Sequence, residues 1–185
     1  MDGLRIYSNK DILKLVNIRS GETKLGERVG VISTLEDLST SQARFVLIGI
    51  PEDIGVRANY GLSGAATAWN PTLKALLNIQ SNCFLDGSEL IALGHFEFTE
   101  PQNNMIEALQ KKVSEIDNQV YECVLKIIAA GKIPIIVGGG HNNAYPIIKA
   151  LASVHKKAVD ILNIDAHADL RAPKGRHSGN SFSYA

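Results

Sequence analysis

The stretch LNIDAHADLR, Leu162 to Arg171, sets three ionisable side chains, Asp165, His167 and Asp169, two residues apart behind an apolar run, Val159 to Ile164. Side chains alternate faces along an extended chain, so this spacing lets all three project one way. Two carboxylates and an imidazole brought together repel or desolvate one another unless a cation neutralises them. Mixed oxygen and nitrogen donors suit manganese, iron or zinc better than calcium or copper(I). A second ligand candidate, His141, directly follows IIVGGG, where Gly138, Gly139 and Gly140 allow a tight turn and close approach of the backbone. The same strand, glycine turn and helix start could cradle phosphate. It lacks the Gly-Lys-Ser/Thr ending of a P-loop and the spaced glycines of a dinucleotide site, and the histidine favours metal. His177, in GRHSGNSF, is a third candidate. An imidazole titrates near neutrality, at about 6.5 when unperturbed, and could shuttle a proton; a loop histidine is equally tolerated without a function.

These residues must be held by strands and turns. Phe45 to Ile50 and IPIIVGGG (133–140) read as buried strands, and AVDILNID (158–165) as a third. Met105 to Ala130 carries apolar residues at helical spacing and stops at Gly131. NNAYPIIKALASVHKK reads as a helix with Pro146 in its first turn. NPTLKALLNI is predicted to start on an Asn70 cap and a first-turn Pro71, and Asn9 to Ile18 to form a short amphipathic helix. Asp53 to Gly64 reads as a long loop. Apolar strands alternating with helices imply parallel strands joined by crossover helices. Ligands then belong beyond the carboxyl ends of the strands, where the candidate residues lie.

GGGH (138–141), DAHAD (165–169) and HSGNSF (177–182), with the upstream GIPEDIGVRANYGLSGA, resemble the ureohydrolase family of arginases, agmatinases and formimidoylglutamases. The resemblance runs from about Phe45 to the last residue. It implies a three-layer α-β-α fold with a mainly parallel sheet. The domain would be single, with residues 1–44 as an N-terminal extension and 45–185 as the metal-site half. It also implies two manganese ions (Mn2+) per complete site. His141, Asp165 and Asp169 would hold one metal and His167 the other, with Asp165 bridging. A hydroxide between the metals would attack the carbon of a guanidinium or formimidoyl group. Asp165 and His177 would act in catalysis, and Arg171 and Asn180 would bind substrate. Gly140 in GGGH, and DLR after the strand end, look more like formimidoylglutamases, so Arg171 could pair with a substrate carboxylate; it could equally be a solvated surface arginine. The substrate would be a small cationic molecule or amidine. Arginase or agmatinase activity, a non-catalytic binding or oligomer-forming module, and a one-zinc deacetylase of similar fold are the competing readings.

The family's later Asp-x-Asp strand end has no counterpart, because no Asp or Glu follows Asp169. The chain is therefore expected to be the N-terminal part of a longer enzyme, incomplete on the C-terminal side of its sheet and inactive alone. Lysines plus arginines and acids number 19 each in 185 residues, which argues against a nucleic-acid partner. No run approaches the roughly 20 apolar residues of a membrane span. Two isolated cysteines, Cys83 and Cys123, point to a reducing, cytoplasmic setting, and both read as small buried hydrophobes. The resemblance further implies a homo-oligomer. His95 and His155 read as packing or surface histidines, Trp69 as a core or loop anchor, and Glu52 as a turn cap rather than a catalytic acid.

Overall fold

The computed structural model describes residues 1–185. In chain order its elements are β1 (Leu4–Ile6), α1 (Asn9–Leu13), β2 (Phe45–Ile50), α2 (Ile54–Arg57), α3 (Trp69–Leu77), β3 (Leu90–Phe96), α4 (Ile106–Ala129), β4 (Ile133–Gly138), α5 (Ala144–His155) and α6 (Ser181–Tyr184). The sheet order is β1-β3-β2-β4, with β2, β3 and β4 parallel and β1 antiparallel at one edge.

The strand pattern makes two cores. Val46, Ile48 and Ile50 pack with Leu109, Val113 and Val120 of α4, whereas Leu47 joins Trp69, Leu73 and Leu77 of α3 on the opposite face. Period-two alternation along β2 thus covers both faces of the sheet. Helices α4 and α5 lie against each other on the first face. The layering is α-β-α, as the family resemblance implies. Residues 1–44 share these cores through Ile12, Val29 and Leu38 and complete the sheet edge through β1.

Strand β3 carries a bulge. Ala92 pairs with Leu47 and Gly94 with Ile48, so Leu93 is the extra residue. The insertion flips the later parity, which puts Leu93 and Phe96 in the same core. Gly94 sits at φ +140°, and a Cβ there would lie 1.9 Å from the Arg5 carbonyl oxygen. Gly94→Ala is expected to cost at least about 1–3 kcal/mol, the usual scale for a forbidden backbone conformation, and to loosen β1. A urea-unfolding midpoint equal to that of the parent would refute this.

Several sequence expectations change in three dimensions. Residues 158–164 do not form a strand: no ladder bond joins them to the outer edge of β4, and Leu162 and Ile164 are 88% and 91% exposed. A continuously apolar strand persists only when both faces are covered, and here neither is. β1 and β3 lacked a sequence signal strong enough to read. Helix α1 ends at Leu13, and α3 begins at Trp69 with Asn70 inside it and no side-chain cap. The loop after Pro51 contains the short α2. Cys123 is buried but Cys83 is exposed. Trp69 is a core residue; its Nε1 donates to the Tyr7 hydroxyl (3.0 Å), which lies 2.6 Å from Nδ1 of His95. Burial lowers the His95 pKa, so its neutral ring can accept the Tyr7 proton.

Candidate metal centre

The centre is built on the turn after β4. Glu52, 3% exposed, reaches under that turn from the end of β2. Its Oε1 accepts from the backbone N–H of Gly140 (3.1 Å) and from Nδ2 of Asn142 (3.1 Å) and Asn143 (2.6 Å). Its Oε2 accepts from the N–H of Gly55 at 3.3 Å. One buried carboxylate therefore satisfies four donors from two chain segments. A Cβ on Gly139 would stand 1.9 Å from the Glu52 carbonyl oxygen, so only glycine lets the chain pass there. The turn delivers His141 at the first position of a 3-10 turn, His141–Asn143, that leads into α5.

His141 is fixed from behind. The Ser181 hydroxyl donates to its carbonyl oxygen at 2.7 Å, and the Phe182 ring meets its imidazole edge-on at 5.6 Å. Its Nδ1 lies 2.6 Å from Oδ2 of Asp169 and 3.2 Å from Oδ2 of Asp165. That nitrogen is buried, yet neither contact has hydrogen-bond geometry. One ligand atom from each of His141, Asp165 and Asp169 falls within 4.8 Å of the others. A nitrogen that faces two carboxylates without a proper hydrogen bond is arranged as a divalent cation needs it, and the donor set fits such an ion.

The two aspartates come from an irregular segment, not from a strand end. Oδ1 of Asp165 accepts from the backbone N–H of His167 at 2.7 Å. That bond leads the causes that hold the Asp165 carboxyl below the usual range, so it is ionised at neutral pH. Asp169 adopts φ +47°, a left-handed conformation that aspartate tolerates better than most residues. His167 stands apart from the three. Its side chain is 82% exposed, and its Nδ1 approaches only Asp165, at 3.5 Å. With no strand beneath it, the two-residue periodicity does not aim it at His141.

An open cavity of about 570 Å³ lies over the cluster, with Asn59, Gly140 and Arg171 on its walls beside the three candidate ligands. Arg171 Nη1 donates to Oδ1 of Asn59 at 2.7 Å, and Asn59 Nδ2 reaches the Ser178 hydroxyl at 3.3 Å. A cation is thus held at the rim by the loop after α2. His177 is buried behind the cavity, and its Nδ1 accepts from the N–H of Gly179 at 3.1 Å. Burial, reinforced by Arg171 and Arg176, pushes its pKa down, so the ring is neutral with its proton on Nε2.

Asn180, read from the sequence as substrate-binding, is placed otherwise. It is fully buried, its Oδ1 accepts from Arg176 (2.7 Å) and from the His177 N–H (3.2 Å), and its Nδ2 donates to Gly175 O at 2.8 Å. Its amide is used up by the protein. Sequence reasoning missed Arg176 and Asp117, which form a buried bidentate pair at 2.6 and 3.2 Å. Desolvation raises the Asp117 pKa, against the smaller pull of Arg176. Asp117 was legible only as an acid inside the apolar stripe of α4, between Ile116 and Val120.

The Arginase family model matches residues 43–185, which include β2, the Glu52 turn and every candidate ligand. The chain belongs to the arginase family. Among its arginase-family relatives, the formimidoylglutamase of Chromobacterium violaceum is 33% identical over 138 residues, covering 74% of this chain and 40% of that protein. The formimidoylglutamase of Salmonella heidelberg is 32% identical, with 76% and 42% covered. A single-substitution variant of Trypanosoma cruzi formiminoglutamase, solved with Mn2+, superposes with a TM-score of 0.63 at 25% identity, over 89% of this chain and 52% of that one. The chain thus spans about 40% of the length of these curated relatives and about half that of the solved structure. The mainly parallel sheet with helices on both faces is the arginase-type α/β fold. No helix is long and apolar enough to cross a membrane.

Proposed function

We propose that these residues form the metal-binding half of an enzyme that hydrolyses a C–N bond of a linear amidine, with formimidoylglutamate, cleaved to glutamate and formamide, as substrate. One observation carries the reading: the buried Nδ1 of His141 faces the Asp165 and Asp169 carboxylates with no hydrogen-bond partner. His141, Asp165 and Asp169 would hold Mn2+, and His167 would serve a second ion from the outer side of Asp165. Bound there, the metal would supply an acidified water and charge stabilisation for attack on the amidine carbon. The protein's own groups do the rest. Arg171, tied to Asn59 at the cavity rim, offers a planar pair of donors to a substrate carboxylate. Neutral His177 keeps a transferable proton on Nε2. The names of the relatives favour formimidoylglutamate over arginine or agmatine. The soluble, cytoplasmic setting and the homo-oligomer remain part of the same proposal.

The test takes the metal first. Calorimetric titration of the purified chain with Mn2+ is expected to show saturable binding; no binding overturns the metal reading. Hydrolysis assays should then rank formimidoylglutamate above agmatine and arginine, and the opposite ranking overturns the substrate. Arg171→Met should raise KM for formimidoylglutamate by roughly 10–100-fold, the loss of one charge-assisted contact, with a smaller change in kcat.

A further inference from the structure

We propose that Arg176 is a positioning residue: its guanidinium sets His141 and His177 in register with each other, and through them the geometry of the centre. This rests on the metal reading above. All five N–H donors of Arg176 have acceptors, and these come from three separate parts of the chain. Nε and Nη2 grip the Asp117 carboxylate in the middle of α4. Nη2 also donates to the carbonyl oxygen of Asn142 at 2.9 Å, one residue beyond His141. Nη1 donates to Oδ1 of Asn180 at 2.7 Å and reaches the carbonyl oxygen of His177 itself at 3.5 Å. The rings of Tyr145 and Tyr184 lie beside the group, each 4.8 Å from its central carbon and 5.8 Å from each other.

The chemistry of the group explains the choice of residue. Arginine alone offers five donors in a fixed plane. Lysine would keep the charge but serve three acceptors at most and lose the planar stacking. Asp117 belongs to a long helix packed into the main core, so the rigid body of the fold is the reference point. The two histidine-bearing segments, by contrast, are short turns with little apolar burial of their own. One guanidinium ties both of them to that helix, in addition to the Glu52 bonds that anchor the His141 turn to the end of β2. Groups behind a metal ligand fix its orientation, and their loss typically weakens metal affinity by about 10–100-fold.

The experiment compares the parent with Arg176→Lys and Asp117→Asn, with Ile91→Val as a control that loosens the core away from the site. In the metal-free proteins, the ring 15N resonances of His141 and His177 are recorded by NMR. Both are expected to move in R176K and D117N and to stay in place in I91V. Mn2+ affinity, measured well below each melting temperature, should fall by about 10–100-fold in R176K and remain at the parent value in I91V. Histidine signals and Mn2+ affinity unchanged in R176K, with only a lower melting temperature, would make Arg176 a plain structural brace and overturn the proposal. If R176K does not fold, D117N decides by the same two readouts. Histidine shifts in R176K together with no Mn2+ binding by the parent would leave the register of the two rings standing and sink the metal reading on which its purpose depends.

Discussion

Asp117→Ala is expected to destabilise the fold by about 3–5 kcal/mol, the scale for removing one partner of a buried ion pair. Arg176 is 4% exposed and Asp117 5%, so the guanidinium left behind has no water to turn to. The Asn142, His177 and Asn180 acceptors remain, but none carries a charge. Burial itself disfavours the Asp117 carboxylate, as its raised pKa shows, so the penalty in the variant is chiefly that of an uncompensated cation. A second variant separates this cause from simple loss of packing. Removing both charges, as in Asp117→Ala with Arg176→Met, should recover part of the loss, because apolar replacement of a whole buried pair is often near neutral. Equilibrium urea unfolding measures both. A loss below about 1 kcal/mol in the single variant, the level of an exposed pair, would show the clamp to be solvated and not buried.

His141→Ala has the opposite profile: a large effect on metal and a small one on stability. Its side chain is 35% exposed, and its ring makes one edge contact, with Phe182. Stability should therefore change by no more than about 1 kcal/mol. Mn2+ affinity should fall by at least roughly 100-fold, beyond the range for residues that merely orient a ligand. The variant removes the only nitrogen in the three-residue cluster and leaves two carboxylates. Calorimetric titration, read beside a urea melt, separates the two effects. Mn2+ binding at parent strength in a folded His141→Ala protein would place the metal elsewhere.

The elements around the centre were legible to different degrees. Phe45–Ile50, Ile133–Gly138 and the long helix to Ala129 were read from local pattern because each is continuously apolar or strictly periodic and is punctuated by proline or glycine. β3 was not, although it sits in the middle of the sheet. Its bulge at Leu93 breaks the alternation that marks a strand, and its place is decided by contacts with residues about 45 positions away. The segment 158–164 failed in the other direction. It has the composition of a buried strand, but composition cannot supply the neighbours that make one. His167 and Asn180 followed the same rule. Spacing put His167 on the aspartates' side, yet without a strand the ring turns to solvent. The resemblance implied a substrate contact for Asn180, yet its amide is consumed by Arg176 and the loop backbone.

By itself the sequence determined the types of donor available, His141, Asp165, His167 and Asp169, but not that His167 would stand apart from the other three. Imidazole and carboxylate are the types a divalent cation selects, and that is a property of local chemistry. The tertiary structure alone decided what supports them. Glu52 beneath the turn and the Arg176–Asp117 clamp behind it join residues roughly 60 to 90 positions apart, and a buried charge becomes affordable only once its distant partner is in place.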